Sequence, residues 1–335
     1  MSRMDVKLDN IRKGRYRRSD FMIADAKDAD MGSGVCCGGP TFDADGSRTG
    51  FRTRRAFLDQ IKAIVEQDIV DIMLVSASNL ERLQAERVFA GSDVQTAIRA
   101  NETTDIWAGL RGGHYARQRS RPHRSASIPR LTGARPNAGT DLGLYSMTFN
   151  NDLDDDLRTL EEFCAFREEA SLHGFRYFLE VFHPNAPVGL EPADIPRFMN
   201  DHIVRCLAGV MEADRPLFLK IPFNGPEAME ELAGYDDSLI VGVLGGGAGT
   251  ARDTFELLVQ SERHGGRLAL FGRKINLAES PLSMVTLMRQ VVDGTVSPAE
   301  AVRAYHGELQ RQSLRPFRSL EDDSQVTEAP LKRGA

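Results

Sequence analysis

A single lysine lies inside an apolar run in the second half of the chain. Lys220 belongs to the stretch 215–225, whose short length and Pro/Gly punctuation predict a buried strand that opens into a loop. Moving an ammonium group out of water is costly and favours the neutral amine. The neutral amine is the nucleophile that attacks a carbonyl carbon to form a Schiff base. The alternative is a lysine at the mouth of a strand that only pairs with a carboxylate.

Two more lysines fall at the ends of predicted strands. Lysine occurs at only seven positions in the chain, and arginine supplies the rest of the basic charge. Lys27 and Lys274, like Lys220, each lie where a strand is predicted to end. Either one could favour the neutral form of the Lys220 amine by like-charge repulsion, or could bind an anionic group of a ligand.

Three further residues are candidates for a catalytic role. Glu180 lies on the strand predicted at 175–182 and is the preferred general acid/base, provided that an apolar setting favours its protonated form. His183 follows that strand and has a suitable intrinsic pKa, but a loop histidine before proline is more often structural. Asp25 is placed to orient the lysine or to bind substrate hydroxyls, and the alternative is a salt bridge with Lys27 or Lys220.

Two turns that contain glycine follow predicted strands near the C-terminus. Their residues are Gly245, Gly246 and Gly247 after the strand at 238–244, and Gly272, Arg273 and Lys274 at the end of the strand at 267–272. If these are the seventh and eighth strands of a barrel, their loops commonly bind phosphate through backbone N–H groups at a helix N-terminus. The pattern therefore predicts a site for phosphate or another anion.

Eight strand patterns alternate with helical ones along the chain. They lie at 21–27, 69–76, 105–110, 141–149, 175–182, within 215–225, at 238–244 and at 267–272. This alternation predicts an α/β fold, a (β/α)8 TIM barrel. A doubly wound sheet is the alternative, although no shift in composition marks a second domain. In a barrel the strands' C-terminal ends surround one site, so Asp25, Lys27, Glu180, Lys220 and Lys274 are expected to converge there.

The predicted domain organisation has three parts. Residues 1–20 are polar and basic and are expected to form an N-terminal extension that covers one end of the barrel. The barrel itself should span 21–315, and a polar C-terminal tail should follow at 316–335. A long loop after strand 3, at 111–140, is rich in Arg, Gly, Ser and Pro. Such a loop is typical of a lid, a binding loop or a disordered segment, and its arginines could bind anions, contact solvent or contact another subunit.

Composition narrows the class of protein. The chain has 335 residues, 41% of them hydrophobic and 27% charged, and a net charge of −6. These values are typical of a globular protein and argue against nucleic acid as a partner. The four cysteines show no metal-ligand spacing, and no apolar run approaches the length of a membrane span. We therefore expect a cytoplasmic protein with no membrane partner, no bound metal and no cofactor.

The motifs around these residues resemble those of a known enzyme family. Leu219-Lys220-Ile221, followed by Gly225 and a helix, is similar to the Schiff-base strand of the class I aldolase superfamily. That superfamily includes deoxyribose-phosphate aldolase, archaeal-type fructose-bisphosphate aldolase and tagatose-bisphosphate aldolase. Phe178-Leu179-Glu180 is similar to the strand-5 motif of the tagatose-bisphosphate branch, whose glutamate takes part in proton transfer. The resemblance covers residues 21–292.

The resemblance extends to both glycine turns and to strand 1. Gly245-Gly246, and Gly272-Arg273-Lys274-Ile275 followed by Ser280-Pro281, look like the phosphate-binding ends of strands 7 and 8 in that family. Asp25 stands where the family often has an acidic residue. The resemblance implies a carbon–carbon lyase that acts through a Schiff base on Lys220. Its partner would be a small-molecule, sugar-like carbonyl substrate, phosphorylated or not, and the enzyme would be a homo-oligomer.

One departure from the family keeps other functions open. The fructose-bisphosphate branch has a tyrosine acid at the end of strand 5, where this chain has Phe182-His183-Pro184, so Glu180 or His183 must supply that acid. One alternative is a metal-dependent barrel lyase with Glu180, His183 and Asp25 as ligands, which chelator-insensitive activity would eliminate. The other is a barrel that binds a sugar phosphate without catalysis, which binding without turnover would favour.

Overall fold

Eight parallel strands close into a barrel. The structure is a computed structural model that describes residues 2–43, 45–133 and 139–332. We number the barrel strands β1 Met22–Lys27, β2 Ile72–Val75, β3 Gln95–Arg99, β4 Leu142–Thr148, β5 Arg176–Phe182, β6 Leu219–Ile221, β7 Val241–Leu244 and β8 Leu268–Phe271. Each strand pairs with the next one along the chain, and β8 pairs with β1. The predicted TIM barrel is therefore confirmed.

The strands are apolar on both faces because helices cover the outside of the sheet and side chains fill its inside. Successive side chains of a strand point to opposite faces. Inward-pointing residues such as Ala24, Ala97 and Phe178 form one buried cluster. Outward-pointing residues such as Ile23 and Leu179 belong to a second cluster beneath the helices. Leucine, methionine and phenylalanine make up most of the inner cluster, because the interior of an eight-stranded barrel is just wide enough for side chains to fill.

Helices lie before the first barrel strand, in every connection between consecutive barrel strands and after the last strand. They are α1 Arg3–Arg12, α2 Ala29–Ser33, α3 Arg54–Gln67, α4 Ala77–Ala85, α5 Ile128–Thr132, α6 Leu153–Leu172, α7 Ile195–Ala208, α8 Pro226–Tyr235, α9 Ala251–Arg263, α10 Arg273–Asn276, α11 Pro281–Asp293, α12 Pro298–Arg311, α13 Leu320–Asp323 and α14 Ala329–Lys332. A short hairpin, Pro40–Phe42 with Arg48–Phe51, lies in the loop after β1. In the described part of the chain, no helix combines the length and the hydropathy needed to cross a membrane.

Helix α1 closes the barrel at the amino ends of the strands, as the predicted N-terminal covering segment. Met4 and Leu8 are buried against the inward-pointing cluster of the barrel. Arg3 and Lys7 form ion pairs with Asp71, which has a fully buried side chain, at 3.1 and 2.8 Å. Apolar burial and paired charges together therefore fix this helix at the end of the barrel opposite to the carboxyl ends of the strands.

The prediction of the third strand was wrong. The segment 105–110 contains a short 3-10 helix, Ile106–Gly109, and the third strand is Gln95–Arg99 instead. Gln95 and Thr96 are only partly buried, so this strand lacks the continuous apolar run that marks its neighbours. Backbone pairing with β2 and β4 holds it extended. Tertiary pairing therefore decided the location of this strand against the local hydrophobic pattern.

The long connection after β3 contains secondary structure of its own and packs against the start of α6. It contains a hairpin, Asn101–Thr103 with Pro122–Arg124. Arg119 and Arg121 form ion pairs with Asp152 and Asp155 at the start of α6. These two arginines of the predicted 111–140 loop therefore neutralise an acidic helix N-terminus. Residues 134–138 of that loop lie outside the described residues.

The segment predicted as a polar tail folds back onto the barrel in its described part, residues 316–332. It contains α13 and α14, and both Asp323 and Leu331 are buried. The side chain of Gln260, on α9, donates a hydrogen bond to the carbonyl oxygen of Leu331 at 2.8 Å. The limits of the three predicted domains remain predictions.

Candidate active site

Lys220 and Glu180 face each other inside the barrel. Their strands, β6 and β5, are neighbours, and Lys220 is in register with Glu180. Side chains that are in register on neighbouring strands point to the same face of the sheet. The Nζ atom of Lys220 lies 2.6 Å from Oε1 of Glu180, and the two side chains are 6% and 2% exposed. The fold therefore brings the predicted lysine and the predicted acid/base into direct contact.

Two further side chains hold the Glu180 carboxylate. Its Oε2 atom accepts hydrogen bonds from Nη2 of Arg99 at 3.1 Å and from Oγ of Ser146 at 2.7 Å. Arg99 ends β3, and Ser146 lies on β4 between β3 and β5. All of these side chains are buried. Hydrogen bonds to charged groups are strong in such a low-dielectric setting, so the carboxylate is fixed relative to Lys220.

Asp28 completes this ion network, which consists of Asp28, Arg99, Glu180 and Lys220. Its Oδ2 atom accepts a hydrogen bond from Nε of Arg99 at 2.5 Å. Burial raises the pKa of the Asp28 carboxyl, but Arg99 and Lys220 outweigh burial and hold that pKa below its ordinary value. Two cations thus balance two anions. A proton can pass between Lys220 and Glu180 without changing the net charge of the network.

A cavity of about 590 Å³ opens at the carboxyl ends of the strands, next to the ion network. All four network residues line it, together with apolar side chains from the strand ends and loops, among them Phe182, Phe223, Leu244 and Leu270. A mostly apolar cavity with a few convergent polar groups is typical of a site for a small molecule. Its position at this face of the barrel is that of TIM-barrel active sites.

Asp105 lines the same cavity from the connection after β3. Its Oδ2 atom accepts a hydrogen bond from the hydroxyl of Thr148. Its Oδ1 atom is buried and has no hydrogen-bond partner among the described residues. Burial raises the pKa of Asp105 by more than the neighbouring hydroxyl groups lower it, and the nearby Glu180 carboxylate adds a smaller rise. A carboxyl that stays protonated to higher pH can exchange a proton with a ligand in the cavity.

His183 lies at the rim of the cavity, directly after β5. Its Nε2 atom is 2.5 Å from Oδ1 of Asn224. The residue is exposed, unlike the members of the buried ion network. The imidazole therefore shares the cavity with Lys220 but has its own hydrogen-bond partner, and its catalytic role remains a proposal.

Asp25 and Lys27 do not join Lys220, contrary to the expectation that they would converge with it. They share the face of β1 that carries Ile23, which points to the layer between the barrel and the helices. Nζ of Lys27 lies 2.9 Å from Oδ2 of Asp25, and both side chains are fully buried. Burial raises the pKa of Asp25 and lowers the pKa of Lys27, while each charge opposes the shift of the other. The two residues thus form their own ion pair behind the strand.

The predicted anion-binding turns lie at one end of the cavity. Of their residues, Gly245, Gly246, Gly272 and Arg273 line it, and Gly247 is exposed to solvent. Gly246 has a φ of +64°, a left-handed conformation that glycine adopts without strain. Lys274 already has a partner, because its Nζ atom lies 2.8 Å from Oε1 of Glu328, another residue that lines the cavity.

Five residues of the site could not be found from the motifs: Asp28, Arg99, Asp105, Ser146 and Glu328. Asp28 directly follows β1, and its position at a strand end is a signal that could have identified it. Arg99 and Asp105 were missed because the third strand was placed too late in the chain. The position of Glu328 at the cavity could not be predicted, since nothing in the sequence of a C-terminal segment indicates where that segment docks.

The fold and the site together define a class of protein. This is a (β/α)8 barrel in which a buried lysine contacts a carboxylate at the carboxyl ends of the strands. Active sites of TIM-barrel enzymes occupy this face of the barrel. The protein thus belongs to the class of (β/α)8 barrels in which a buried lysine amine lies beside a cavity of a size suited to a small molecule.

Solved structures with similar folds include Schiff-base aldolases. A Schiff-base-forming fructose-1,6-bisphosphate aldolase is 13% identical and matches 85% of this chain and 99% of its own, with a TM-score of 0.60. An archaeal fructose-1,6-bisphosphate aldolase with its catalytic lysine bound to a carbinolamine is 13% identical over 86% and 100% of the two chains, with a TM-score of 0.57. A protein from Corynebacterium glutamicum is 18% identical over 87% and 94%, with a TM-score of 0.58.

The resemblance to class I Schiff-base aldolases is therefore confirmed at the level of the fold. No protein-family model matches the sequence, and no curated protein matches it either. With identities of 13% to 18% for these structures, the similarity defines the architecture. The reaction has to be inferred from the residues of the site.

Proposed function

We propose that this protein is a class I aldolase that cleaves or forms a carbon–carbon bond in a sugar-like carbonyl compound through a Schiff base on Lys220. The observation that carries this proposal is the 2.6 Å contact between Nζ of Lys220 and Oε1 of Glu180 beside the cavity. A buried amine next to a proton acceptor can lose its proton and attack a carbonyl carbon. The fold shared with Schiff-base aldolases supports the same chemistry.

The first half of the reaction builds the Schiff base. Lys220 passes a proton to Glu180, and the neutral amine adds to the carbonyl carbon to form a C–N bond. The former carbonyl oxygen takes up the proton that the added nitrogen loses, which gives a carbinolamine. Glu180 returns its proton to the carbinolamine hydroxyl as that group leaves as water. An iminium ion on Lys220 and an ionised Glu180 remain.

The second half breaks the carbon–carbon bond. The iminium ion withdraws electrons, so when the hydroxyl on the β-carbon loses its proton the adjacent C–C bond cleaves. An aldehyde leaves, and an enamine stays on Lys220. Asp105 and His183 both line the cavity and are the candidates for exchanging this hydroxyl proton. Protonation of the enamine and addition of water release the second product and restore the amine.

Borohydride trapping tests this proposal. The protein is incubated with small keto and aldehyde compounds, with and without phosphate groups, then reduced and analysed by peptide mass. We expect an adduct on Lys220 that disappears in Lys220→Ala. Lys62→Ala is the matched control, because Lys62 pairs with Asp59 and Glu86 away from the cavity. Glu180→Gln should slow adduct formation by about 10²-fold or more, since it removes the proton acceptor.

Absence of an adduct across the panel, with Lys220→Ala still active on some substrate, would overturn the proposal. Loss of that activity on chelation would then favour a metal-dependent lyase. Among the described residues, no group of three or more His, Cys, Asp and Glu side chains is arranged to hold a metal ion. Binding of a sugar phosphate without turnover would favour a binding protein.

The proposal includes a homo-oligomeric state, which the aldolase resemblance implies, and a location in the cytoplasm, which the composition of the sequence predicts. Light scattering coupled to gel filtration measures the mass of the particle directly. A monomer at micromolar concentration would contradict this part and leave the Schiff-base chemistry unaffected.

A further inference from the structure

The C-terminal segment, residues 319–332, forms one wall of the cavity through residues that include Glu328 and Leu331. Its position is set by polar contacts with α9. Oδ1 of Asp253 accepts hydrogen bonds from the backbone N–H groups of Thr327 at 2.7 Å and of Glu328 at 3.2 Å. The backbone of Glu328 is therefore held in place beside the glycine-containing turn after β7.

Two carboxylates of this segment bind two of the donors that an anionic ligand could use, while Arg273 also lines the cavity at this end. Oδ1 of Asp323 accepts a hydrogen bond from the backbone N–H of Ala251, the first residue of α9, at 2.8 Å. Oε1 of Glu328 accepts one from Nζ of Lys274 at 2.8 Å, and the Lys274 side chain is fully buried. A helix N-terminus after strand 7 and a cation after strand 8 are the usual donors for phosphate in such barrels. Here a carboxylate of the chain itself binds each of these donors, Asp323 at the start of α9 and Glu328 at Lys274.

The Glu328 carboxylate also lies close to the glycine turn itself. A Cβ atom added to Gly249 would lie 3.0 Å from Oε1 of Glu328. A phosphate ester carries a charge of about −1.5 to −2 at neutral pH. At this end of the cavity it would lie beside Glu328, whose charge already neutralises Lys274. Like charges at such close range oppose binding strongly.

We infer that Glu328 determines the substrate class, because it makes the β7–β8 end of the cavity accept an uncharged, hydroxyl-bearing group and reject a phosphate. The Glu328 side chain is 30% exposed, and a carboxylate accepts hydrogen bonds from hydroxyl groups. The inference rests on the proposed function for the carbonyl chemistry at Lys220. The effect of Glu328 on phosphate binding near Lys274 can be measured even if Lys220 forms no Schiff base.

Calorimetric titration of the full chain with inorganic phosphate tests this selection. We expect Glu328→Gln to bind phosphate about tenfold or more tightly than the wild type, because the nearly isosteric change leaves Lys274 without a negative partner. Glu321→Gln is the control, since it removes the same charge from an exposed position of the same segment and should behave as the wild type does. Adding Lys274→Met to Glu328→Gln should abolish the gain. Thermal unfolding checks that each variant is folded.

Two compounds that differ by one phosphate group extend the test to the reaction. In borohydride trapping, the wild type should yield about tenfold or more adduct with dihydroxyacetone than with dihydroxyacetone phosphate, and Glu328→Gln should reduce or reverse this ratio. The inference would be overturned if the wild type and Glu328→Gln bound phosphate with the same affinity. It would also be overturned if the wild type formed more adduct with the phosphorylated compound. If no compound of the trapping panel reacts and Lys220→Ala stays active on some substrate, but the calorimetric difference holds, the proposed aldolase chemistry fails and the selection by Glu328 stands.

Discussion

At the scale of single residues, Arg99 is one of the two cations that balance the two carboxylates of the ion network. It donates to Asp28 through Nε at 2.5 Å and to Glu180 through Nη2 at 3.1 Å, and its side chain is 5% exposed. Without Arg99, the two buried carboxylates would have Lys220 as their remaining cation within the network. A buried ion that loses its partner costs more than the pair itself gains. Arg99 is therefore a positioning residue, which acts on the chemistry through Glu180.

Replacing Arg99 by methionine removes its charge and keeps most of its apolar bulk. We expect Arg99→Met to lower the free energy of unfolding by about 3–5 kcal/mol, the usual cost of breaking a buried ion pair. Urea denaturation measures this loss. Arg121→Met is the control, because Arg121 pairs with Asp155 while its side chain is 61% exposed. Equal losses in the two variants would contradict the role of Arg99, and adding Asp28→Asn to Arg99→Met should recover part of the stability.

At the scale of elements, the start of α9 joins the barrel to the C-terminal segment. The side chain of Asp253 accepts hydrogen bonds from the backbone N–H of Thr250 at 3.0 Å and of Thr327 at 2.7 Å. Burial raises the pKa of Asp253, but the hydroxyl of Thr327, which donates to Oδ2 at 2.5 Å, and the backbone hydrogen bonds outweigh burial and lower the pKa below its ordinary value. A carboxyl with a lowered pKa in the folded state stabilises that state above the unfolded pKa of about 3.9. The stabilisation is lost as the pH falls through the lower, folded value.

The docking of residues 319–332 should therefore depend on Asp253 and on pH. We expect Asp253→Asn to weaken docking by about 2 kcal/mol, because the hydrogen bonds to a charged acceptor become bonds to a neutral one. Hydrogen exchange of this segment, corrected for intrinsic rates, measures the change. Asp237→Asn, at an exposed position, is the control. In the wild type the protection should fall below about pH 4, and the same protection at pH 3 and pH 6 would contradict this assignment.

At the scale of the whole molecule, the two ends of the barrel serve different purposes. Helix α1 closes the end at the amino ends of the strands, and the ion network lies at the other end, where the cavity opens. In TIM barrels the first end contributes stability and the second carries the chemistry. Changes in α1 should therefore alter stability without altering the reactivity of Lys220.

Leu8 provides a test of this division, because it is 2% exposed within the inner cluster. We expect Leu8→Ala to lower the free energy of unfolding by about 2–5 kcal/mol, since it removes buried apolar atoms and leaves a cavity. Val6→Ala on the same helix, where Val6 is 43% exposed, should have little effect. The yield of adduct on Lys220 should be equal in all folded variants. A lower yield in folded Leu8→Ala would show that the two ends are coupled.

Much of the barrel could be predicted because most of its strands are buried on both faces. Such strands carry nearly continuous apolar runs, as in Ile72–Val75 and Leu268–Phe271, and these runs stand out from the flanking loops. β3 could not be predicted, since Gln95 and Thr96 at its start are polar and backbone pairing with its neighbours holds it extended. The local hydrophobic pattern of a sequence indicates which residues are buried, but it does not indicate which strands pair with each other.

The sequence by itself determined that Lys220 and Glu180 lie on barrel strands, because each interrupts an apolar run that must be buried. Only the tertiary structure decided which charged residues meet them. One face of β1 carries Asp25 and Lys27 outward, while Ala24 and Ala26 fill the narrow interior, so Asp28 reaches the site instead. The folded-back C-terminal segment likewise decided that Lys274 has Glu328 as its partner. The physical reason is that the packing of the whole chain decides which face of a strand turns inward and where a distant segment docks, and neither is specified by residues close together in sequence.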